Sequence, residues 1–189
     1  MYVEKTAIDG LVTITMKQVT DDRGTVREFY RQSSWVESGL PDLGPWQQVN
    51  LTETKPGALR GLHGEDMHKL VAIAAGEAFG AYVDARQESP TYGAVVTVRL
   101  VPGQQVLVPS GVCNGFQSVS DNPTQYLYCF DAEWVPGMAG PAVNPLDPAL
   151  GIAWPLPVHV DDGAPRSAKR LTAPPPPPRP ARRPSARRA

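Results

Sequence analysis

The sequence has few of the residues that mark disulfide-rich, metal-bound or membrane-spanning proteins. Its 189 residues include two cysteines and three histidines, and no apolar run approaches the roughly 20 residues of a membrane-spanning helix. Cys113 and Cys129 lie in apolar runs without the spacing of a metal site, so we expect buried free thiols, with a disulfide as the alternative. The N-terminus lacks the layout of a signal peptide, and we expect a cytoplasmic protein with no membrane partner.

Acidic residues are missing from the C-terminal segment. From Ala164 onward the chain has eight Lys and Arg and no Asp or Glu, which leaves 10 basic against 19 acidic residues before it. Five successive prolines at 174–178 precede an Arg-rich end, and such a composition cannot bury a core. We therefore predict a folded, acidic domain over residues 1–172 and a disordered Pro/Arg-rich tail over 173–189. A solubilising role is favoured for the tail over weak electrostatic contact, and a nucleic-acid partner is not expected.

Helical periodicity is almost absent, and short β-strand signals take its place. Alternating or β-branched runs are separated by Gly/Pro turns, and they predict the strands 12–15, 25–30, 47–52, 70–75, 78–84, 94–100, 105–108, 115–119 and 126–130. One short helix is predicted at 33–40, capped by Ser33 or Ser34. Many short strands with few helices indicate a β-sandwich or jelly-roll barrel.

Two stretches contain the polar residues of a candidate site. Residues 60–69, Arg-Gly-Leu-His-Gly-Glu-Asp-Met-His-Lys, hold two of the three histidines. Residues 103–114 have the layout of the second cupin motif, Gly-x5-Pro-x-Gly-x2, but end in Asn114 where that motif has a metal-binding histidine. His63 and His68 are five residues apart, and on a strand such residues face opposite sides, so they could not share a metal without a turn between them. We therefore predict an all-β, cupin-type jelly roll (double-stranded β-helix) with short peripheral helices, and with no metal or other cofactor.

Residues in register with one enzyme family are spread along the predicted domain. They are Asp22-Arg23-Gly24 with Glu28, Gln48-x-Asn50, Arg60-Gly61-Leu62-His63, Lys69-Leu70-Val71, Val83-Asp84-x-Arg86, Ser89-Pro90-Thr91-x-Gly93, Pro109-x-Gly111, Leu127-Tyr128 and Asp147-Pro148-Ala149-Leu150-Gly151-Ile152-x-Trp154-Pro155. In this register, residues 1–171 resemble the nucleotide-sugar 3,5-epimerase family, whose type member is dTDP-4-dehydrorhamnose 3,5-epimerase. The resemblance implies a homodimer, a dTDP-linked sugar substrate and a place in deoxysugar biosynthesis.

The resemblance also implies a reaction and a set of site residues. The substrate would be a nucleotide-linked 4-keto-6-deoxyhexose, whose ketone acidifies the hydrogens at C3 and C5. His63 would be the general base, Lys69 the cation beside the enolate oxygen, and Tyr128 the acid that returns a proton. Substrate-binding roles are implied for Arg23, Glu28, Gln48, Asn50, Arg60, Asn114 and Trp134. Guanidinium groups such as those of Arg23 and Arg60 suit the diphosphate, because they bind its oxygens bidentately.

The three catalytic candidates also have structural interpretations. A histidine beside a glycine often serves as a hydrogen-bonding group, and Lys69 alone would suit a solvated sheet edge. Tyr126 and Tyr128 both suit a core, and of the two we predict that Tyr128 faces inward. His68 is predicted to be exposed or to support the site from behind.

The sequence departs from the family pattern at three positions. Asn114 stands where a second histidine is common, and Trp134 stands where a second tyrosine is common. Arg170 stands where the family has the aspartate that orients the catalytic histidine, so we expect Asp84 or another acid to take over that role, or a slow or altered enzyme. These departures keep two alternatives open, an epimerase of a single carbon and a non-catalytic sugar-nucleotide binding module. A metal-dependent cupin is least favoured.

Overall fold

The computed structural model describes residues 1–158, which form two main antiparallel β-sheets packed on a shared core and a separate two-stranded hairpin. In chain order the strands are β1 (Tyr2–Lys5), β2 (Val12–Thr15), β3 (Lys17–Asp21), β4 (Gly24–Glu28), β5 (Gln48–Thr54), β6 (Leu59–His63), β7 (Lys69–Ala75), β8 (Ala78–Asp84), β9 (Val95–Leu100), β10 (Gln104–Val108), β11 (Val112–Ser118) and β12 (Thr124–Phe130). Helix α1 covers Gln32–Glu37, and a 3-10 turn covers Pro148–Leu150. The predicted all-β fold with short peripheral helices is confirmed. The predicted tail and Arg170 lie outside the described residues.

The sheet order is that of a jelly roll. The larger sheet has the order β1-β2-β10-β7-β12-β5, and the smaller sheet has the order β6-β11-β8-β9. Neighbouring strands therefore come from distant parts of the chain, as when β10 lies between β2 and β7. Such crossovers between two sheets distinguish a jelly roll from a simple meander. The pair β3-β4 forms a hairpin of its own.

The core lies between the two sheets and follows the period of two along each strand. Val71 of the larger sheet packs with Tyr82 and Phe116 of the smaller sheet, and all three are fully buried. The ring of Phe116 stacks on that of Tyr126 with a centroid distance of 3.9 Å. Burial of each such large side chain stabilises the fold by about 1.5–3 kcal/mol. The core fixes the separation of the sheets beside the polar residues described below.

Tyr126 and Tyr128 share the inner face of β12. Residues two apart on a strand point the same way, and both rings contact the core cluster. Tyr126 is completely buried, whereas Tyr128 is half-buried. Tyr128 does face inward as predicted, but singling it out against Tyr126 was wrong, because the same alternation applies to both.

Helix α1 is fixed by one buried aromatic side chain. Trp35 is buried against the outer face of the larger sheet with Leu70 and Leu107, and its indole N–H donates to the carbonyl of Pro41 at 2.8 Å. The N-cap is Arg31, and no side chain caps the helix. The predicted Ser33 or Ser34 cap is therefore wrong, because both serines lie inside the helical turns and the burial of Trp35 sets the helix position.

The β3-β4 hairpin is exposed on both faces. Val19 and Val26 pair across it and are 64% and 76% exposed. Strand β3 was not predicted, because a strand that buries nothing shows no apolar alternation. Strands β1 and β6 were not predicted either. The hairpin thus presents two apolar side chains and its charged residues to the surroundings.

Both cysteines are free and buried, as predicted. Burial raises the pKa of the Cys113 thiol to about 12 and that of Cys129 to about 11, so both remain protonated at neutral pH. Within residues 1–158, no helix has the length and apolar character required to cross a bilayer.

Candidate active site

A cavity of about 350 Å³ opens between the sheets beside the core. Strands β5, β7 and β12 of the larger sheet contribute to its lining, and so do β6 and β11 of the smaller one. The lining residues are Asn50, Thr52, Leu59, Arg60, Gly61, His63, Glu65, Lys69, Asn114, Gly115, Tyr128 and Phe130. This set includes all three predicted catalytic residues together with Asn50, Arg60 and Asn114.

The strand register explains why these side chains meet. In the larger sheet Tyr128 pairs with Asn50, and Phe130 pairs with Lys69. In the smaller sheet His63 pairs with Asn114. Because the two sheets face each other, His63 approaches the cavity from one side while Lys69 and Tyr128 approach it from the other.

Glycine allows β6 to lie close to β11 at the cavity wall. Gly61 has φ of 111°, a left-handed conformation, and a Cβ on it would lie 2.6 Å from the Gly115 Cα. The register of β11 against β6 also shifts between Asn114 and Phe116. A side chain at Gly61 would separate the strands and displace the adjoining His63.

Lys69 is buried and surrounded by oxygen atoms. Its Nζ donates to Asn114 Oδ1 at 2.7 Å and to the His63 carbonyl oxygen at 3.2 Å, and it forms an ion pair with Glu65. The residue is only 4% exposed, so it is not a solvated edge charge. This cluster brings a fixed cation to the cavity, where a developing negative charge can be stabilised.

Glu65 is a lining residue that the sequence did not single out. It lies in the short loop between β6 and β7, four residues before Lys69. The spacing to Lys69 was the only available signal, and in an irregular loop such spacing does not predict contact.

Tyr128 is positioned as a neutral acid. Burial raises its pKa to about 12, while a hydrogen bond with Thr52 and the charge of Arg60 oppose the rise. The phenol therefore keeps its proton at neutral pH. Its ring stacks parallel to Phe130 at 5.8 Å, which holds it on the larger-sheet side of the cavity.

Arg60 lies at the exposed side of the cavity. Its Nε donates to Thr54 Oγ1 at 2.8 Å, and its Nη2 lies 3.4 Å from the Glu53 carbonyl oxygen. The first contact orients the guanidinium group, and the residue remains exposed. An exposed, oriented guanidinium is well suited to bind phosphate oxygens.

Asp84 does not replace the missing histidine partner. Its carboxylate accepts hydrogen bonds from Arg86 Nε and Nη2, both at 2.8 Å, from Ser89 at 2.6 Å and from Thr91 at 2.7 Å. Asp84 does not line the cavity, and the expectation that it orients His63 is wrong because its oxygen atoms are already bonded. Within residues 1–158, no side chain hydrogen-bonds the His63 ring.

Gln48 and Trp134 are connected to the cavity through Asn50. Gln48 Nε2 donates to Asn50 Oδ1 at 3.2 Å, and its Oε1 accepts from the Trp134 backbone N–H at 2.7 Å. The Trp134 side chain is half exposed. These two predicted binding residues therefore lie at the rim, and their contact with substrate stays a prediction.

Arg23 and Glu28 are not at the cavity of their own chain. Arg23 pairs with Asp21 at the tip of the β3-β4 hairpin, and Glu28 pairs with Arg31, each at 2.5 Å. The predicted substrate-binding role of Arg23 and Glu28 stays a prediction.

His68 does not line the cavity and lies directly before β7. The two histidines do not share a strand, because β6 ends at His63 and a short loop separates it from His68. Its Nδ1 lies 2.8 Å from Asp131 Oδ2. Among the described residues, no three His, Cys, Asp or Glu side chains are grouped closely enough to hold a metal ion.

Comparison with known proteins identifies the family. A family model described as dTDP-4-dehydrorhamnose 3,5-epimerase matches residues 5–173. The enzyme of that name from Salmonella typhimurium is 36% identical over 162 residues, which is 82% of this chain and 87% of that protein. A dTDP-4-dehydrorhamnose 3-epimerase from Streptomyces niveus is 33% identical, covering 82% of this chain and 76% of that protein.

Structural similarity agrees with the sequence matches. The crystal structure of dTDP-6-deoxy-D-glucose-3,5-epimerase from Legionella pneumophila, in complex with dTDP-4-keto-L-rhamnose, has a TM-score of 0.77 and 31% identity. The match covers 90% of this chain and 92% of that one. The chain therefore belongs to the dTDP-4-dehydrorhamnose 3,5-epimerase family and is an epimerase, an enzyme of the isomerase class.

Proposed function

We propose that the protein is a cofactor-independent epimerase of a dTDP-linked 4-keto-6-deoxyhexose, and that it inverts C3, C5 or both through an enolate. The observation that carries this proposal is the meeting of His63, Lys69 and Tyr128 in one cavity. A base, a cation and a neutral acid are the groups that such a reaction requires.

Inversion needs a proton to leave one face of the sugar ring and to return to the other. His63 belongs to β6 of the smaller sheet, whereas Tyr128 belongs to β12 of the larger sheet. A sugar ring held between the sheets would present opposite faces to these two groups. Removal by His63 and return by Tyr128 would then invert the carbon.

The cationic side chains of Lys69 and Arg60 have separate roles, one in stabilising the enolate and the other in binding the diphosphate. Lys69 supplies a buried positive charge for the enolate oxygen at C4, which would otherwise make proton removal unfavourable. Arg60 supplies a guanidinium at the open side of the cavity for the diphosphate. The dTDP-linked ligand bound by the Legionella relative supports this choice of substrate class.

The exposed β3-β4 hairpin supports a homodimer as part of the proposal. Arg23 and Glu28 are resemblance-based binding residues that lie away from their own cavity. The exposed Val19–Val26 pair is an apolar surface that a second copy would cover. We also assign the protein to the cytoplasm, where its free thiols would stay reduced.

A single-carbon epimerase is the second candidate. Two observations favour it. The first is that Trp134, at the cavity rim, stands where the family often has a tyrosine, and its side chain has no O–H group that could act as an acid. The second is that the Streptomyces niveus relative is named as a 3-epimerase. The non-catalytic binding module considered from the sequence is not retained, because the chain belongs to an epimerase family.

Hydrogen exchange into the substrate separates these candidates. The full-length protein would be incubated with dTDP-4-keto-6-deoxyglucose in D2O, and the C3 and C5 proton signals would be followed separately by NMR. We expect loss of both signals. Loss of one would establish the single-carbon epimerase.

The matched control is His63→Ala, because His63 is exposed and its removal leaves the core intact. This variant should bind the nucleotide with nearly unchanged affinity and should show no exchange. Full exchange in the variant would disprove the base assignment. Nucleotide binding by wild type without exchange at either carbon would instead indicate a different keto-sugar substrate.

A further inference from the structure

The Lys69 ammonium has an oxygen neighbour that the proposed mechanism does not use. Asn114 Oδ1 and the His63 carbonyl oxygen accept from Nζ at 2.7 and 3.2 Å, and the Glu65 carboxylate forms an ion pair with it. An ammonium has three N–H donors, so these three acceptors match its full capacity. A substrate oxygen therefore gains a hydrogen bond from Lys69 only by replacing one of them.

Glu65 is the neighbour that can be exchanged. The His63 carbonyl belongs to the backbone of β6, and Asn114 is buried in β11, which pairs on both sides. Glu65 lies in a loop, and its side chain is 22% exposed. Its backbone carbonyl accepts from the Gly111 N–H at 3.0 Å, so the loop stays in place while the carboxylate turns about its own side-chain bonds.

We propose that the Glu65 carboxylate occupies, on Lys69, the position that the C4 oxygen of the substrate takes during the reaction, and that Glu65 is a positioning residue. This proposal rests on the proposed function, because a 4-keto sugar supplies that oxygen. Without substrate, Glu65 keeps the ammonium paired and in place. On binding, the substrate oxygen displaces the carboxylate toward solvent.

The displacement has a cost that falls on substrate binding. A ketone oxygen is neutral and a weaker acceptor than a carboxylate, so the substrate loses part of its binding free energy when it replaces Glu65 on Lys69. Once the carboxylate has turned away, the Lys69 ammonium bonds the C4 oxygen, and this bond strengthens as the enolate charge develops. Removal of the Glu65 charge should therefore lower KM more than it changes kcat.

Glu65→Gln tests this assignment, because it keeps the size of the side chain and removes the charge. Exchange kinetics with dTDP-4-keto-6-deoxyglucose should show a KM lowered by about three- to tenfold, as expected for loss of a competing, partly buried ion pair. The kcat should change less than KM. Asp66→Asn is the matched control, because the neighbouring Asp66 bonds Ser110 at 2.9 Å and does not line the cavity. A KM that is unchanged or raised in Glu65→Gln would overturn the proposal.

A second measurement uses acetate as a probe of the vacated position. By titration calorimetry, Glu65→Ala should bind acetate, because its carboxylate replaces that of Glu65. The wild type and the double variant Glu65→Ala/Lys69→Met should not bind it. Binding that is equal in all three proteins, or absent from Glu65→Ala, would overturn the proposal.

The two measurements separate failure of the substrate from failure of the Glu65 assignment. Acetate binding by Glu65→Ala, with no hydrogen exchange by the wild type, would overturn the keto-sugar substrate and retain Glu65 as the group that occupies an oxyanion position. Exchange by the wild type, with no effect of Glu65→Gln on KM, would overturn the Glu65 assignment alone. Glu65→Gln also keeps the test valid where Glu65→Ala fails to fold.

Discussion

Lys69 and Asp84 are both buried charged residues at the ends of barrel strands, yet their surroundings differ. Asp84 has no exposed surface, and its two oxygen atoms accept from Arg86, Ser89 and Thr91. Lys69 is held by Asn114 and Glu65 and lines an open cavity. A buried charged group that is fully hydrogen-bonded within its own turn stabilises the fold. A buried charged group that lines a cavity and has a displaceable partner is available for catalysis.

The source of the partners also differs between the two clusters. Arg86, Ser89 and Thr91 follow Asp84 within seven residues, so one turn supplies the whole set. The Lys69 cluster combines two local partners, Glu65 and the His63 carbonyl within six residues, with Asn114 from a strand 45 residues away. The first arrangement forms with its own turn, whereas the second is complete only when β11 lies beside β6 and the two sheets pack.

The largest effect should come from Asp84→Asn, measured as the free energy of unfolding in urea. The variant loses a charge that compensates Arg86, and breaking a buried pair on one side costs about 3–5 kcal/mol. Hydrogen exchange into the substrate, per folded molecule, should be unchanged.

Glu77→Gln is the matched control for Asp84→Asn. Glu77 pairs with Arg99 on the surface, and removal of such a pair should change stability by less than about 1 kcal/mol. Equal effects of the two substitutions would contradict the structural role of the Asp84 cluster.

Lys69→Met should lower the rate of hydrogen exchange into the substrate, which Asp84→Asn should leave unchanged. Methionine keeps much of the buried chain and removes the cation, so the exchange rate should fall by about 10²–10³, or about 2.7–4 kcal/mol of transition-state stabilisation. Nucleotide affinity, measured by calorimetry, should change little because Arg60 is intact. Exchange at the wild-type rate would mean that Lys69, like Asp84, is structural.

The decrease in the free energy of unfolding at low pH should depend on Asp84. Burial by itself would raise the pKa of this carboxyl, but hydrogen bonds from Arg86, Ser89 and Thr91 outweigh burial and hold the pKa well below its usual range. A depressed folded-state pKa contributes stability above the unfolded value of about 3.9, and this contribution is lost as the pH falls. The stability gap between wild type and Asp84→Asn should therefore stay constant near neutrality and shrink below about pH 4. A gap that persists unchanged to pH 2 would contradict the ionic origin.

The sequence predicts features that depend on neighbouring residues better than features that depend on packing. Alternation predicted nine of the twelve described strands. Strands β1, β3 and β6 were missed, and for β3 the reason is that Lys17–Asp21 buries no apolar side chain. The exclusion of Tyr126 from the inner face ignored the fact that alternation treats it and Tyr128 alike.

In the candidate site, only the residues that match the family's sequence pattern could be predicted. His63, Lys69 and Tyr128 come from three strands, and only the resemblance connected them before the structure brought them to one cavity. Glu65 was not predictable, because its contact with Lys69 depends on how the β6–β7 loop returns across the cavity. The positions of Arg23 and Glu28 away from that cavity depend on the direction of an exposed hairpin, which no local pattern determines.

The smallest effect should come from Arg60→Lys, which tests whether Arg60 belongs to binding rather than to stability or chemistry. Lysine keeps the charge but cannot form the paired hydrogen bonds of a guanidinium, and it loses the contact of Nε with Thr54. KM should rise about tenfold, or about 1.4 kcal/mol, with kcat changed by less than about twofold. Arg99→Lys, at an exposed surface pair, should leave both constants unchanged. A fall in kcat as large as the rise in KM would place Arg60 with Lys69 in the chemical step. A loss of unfolding free energy like that of Asp84→Asn would place it in the structural class, because the Thr54 contact would then serve the fold rather than the phosphate.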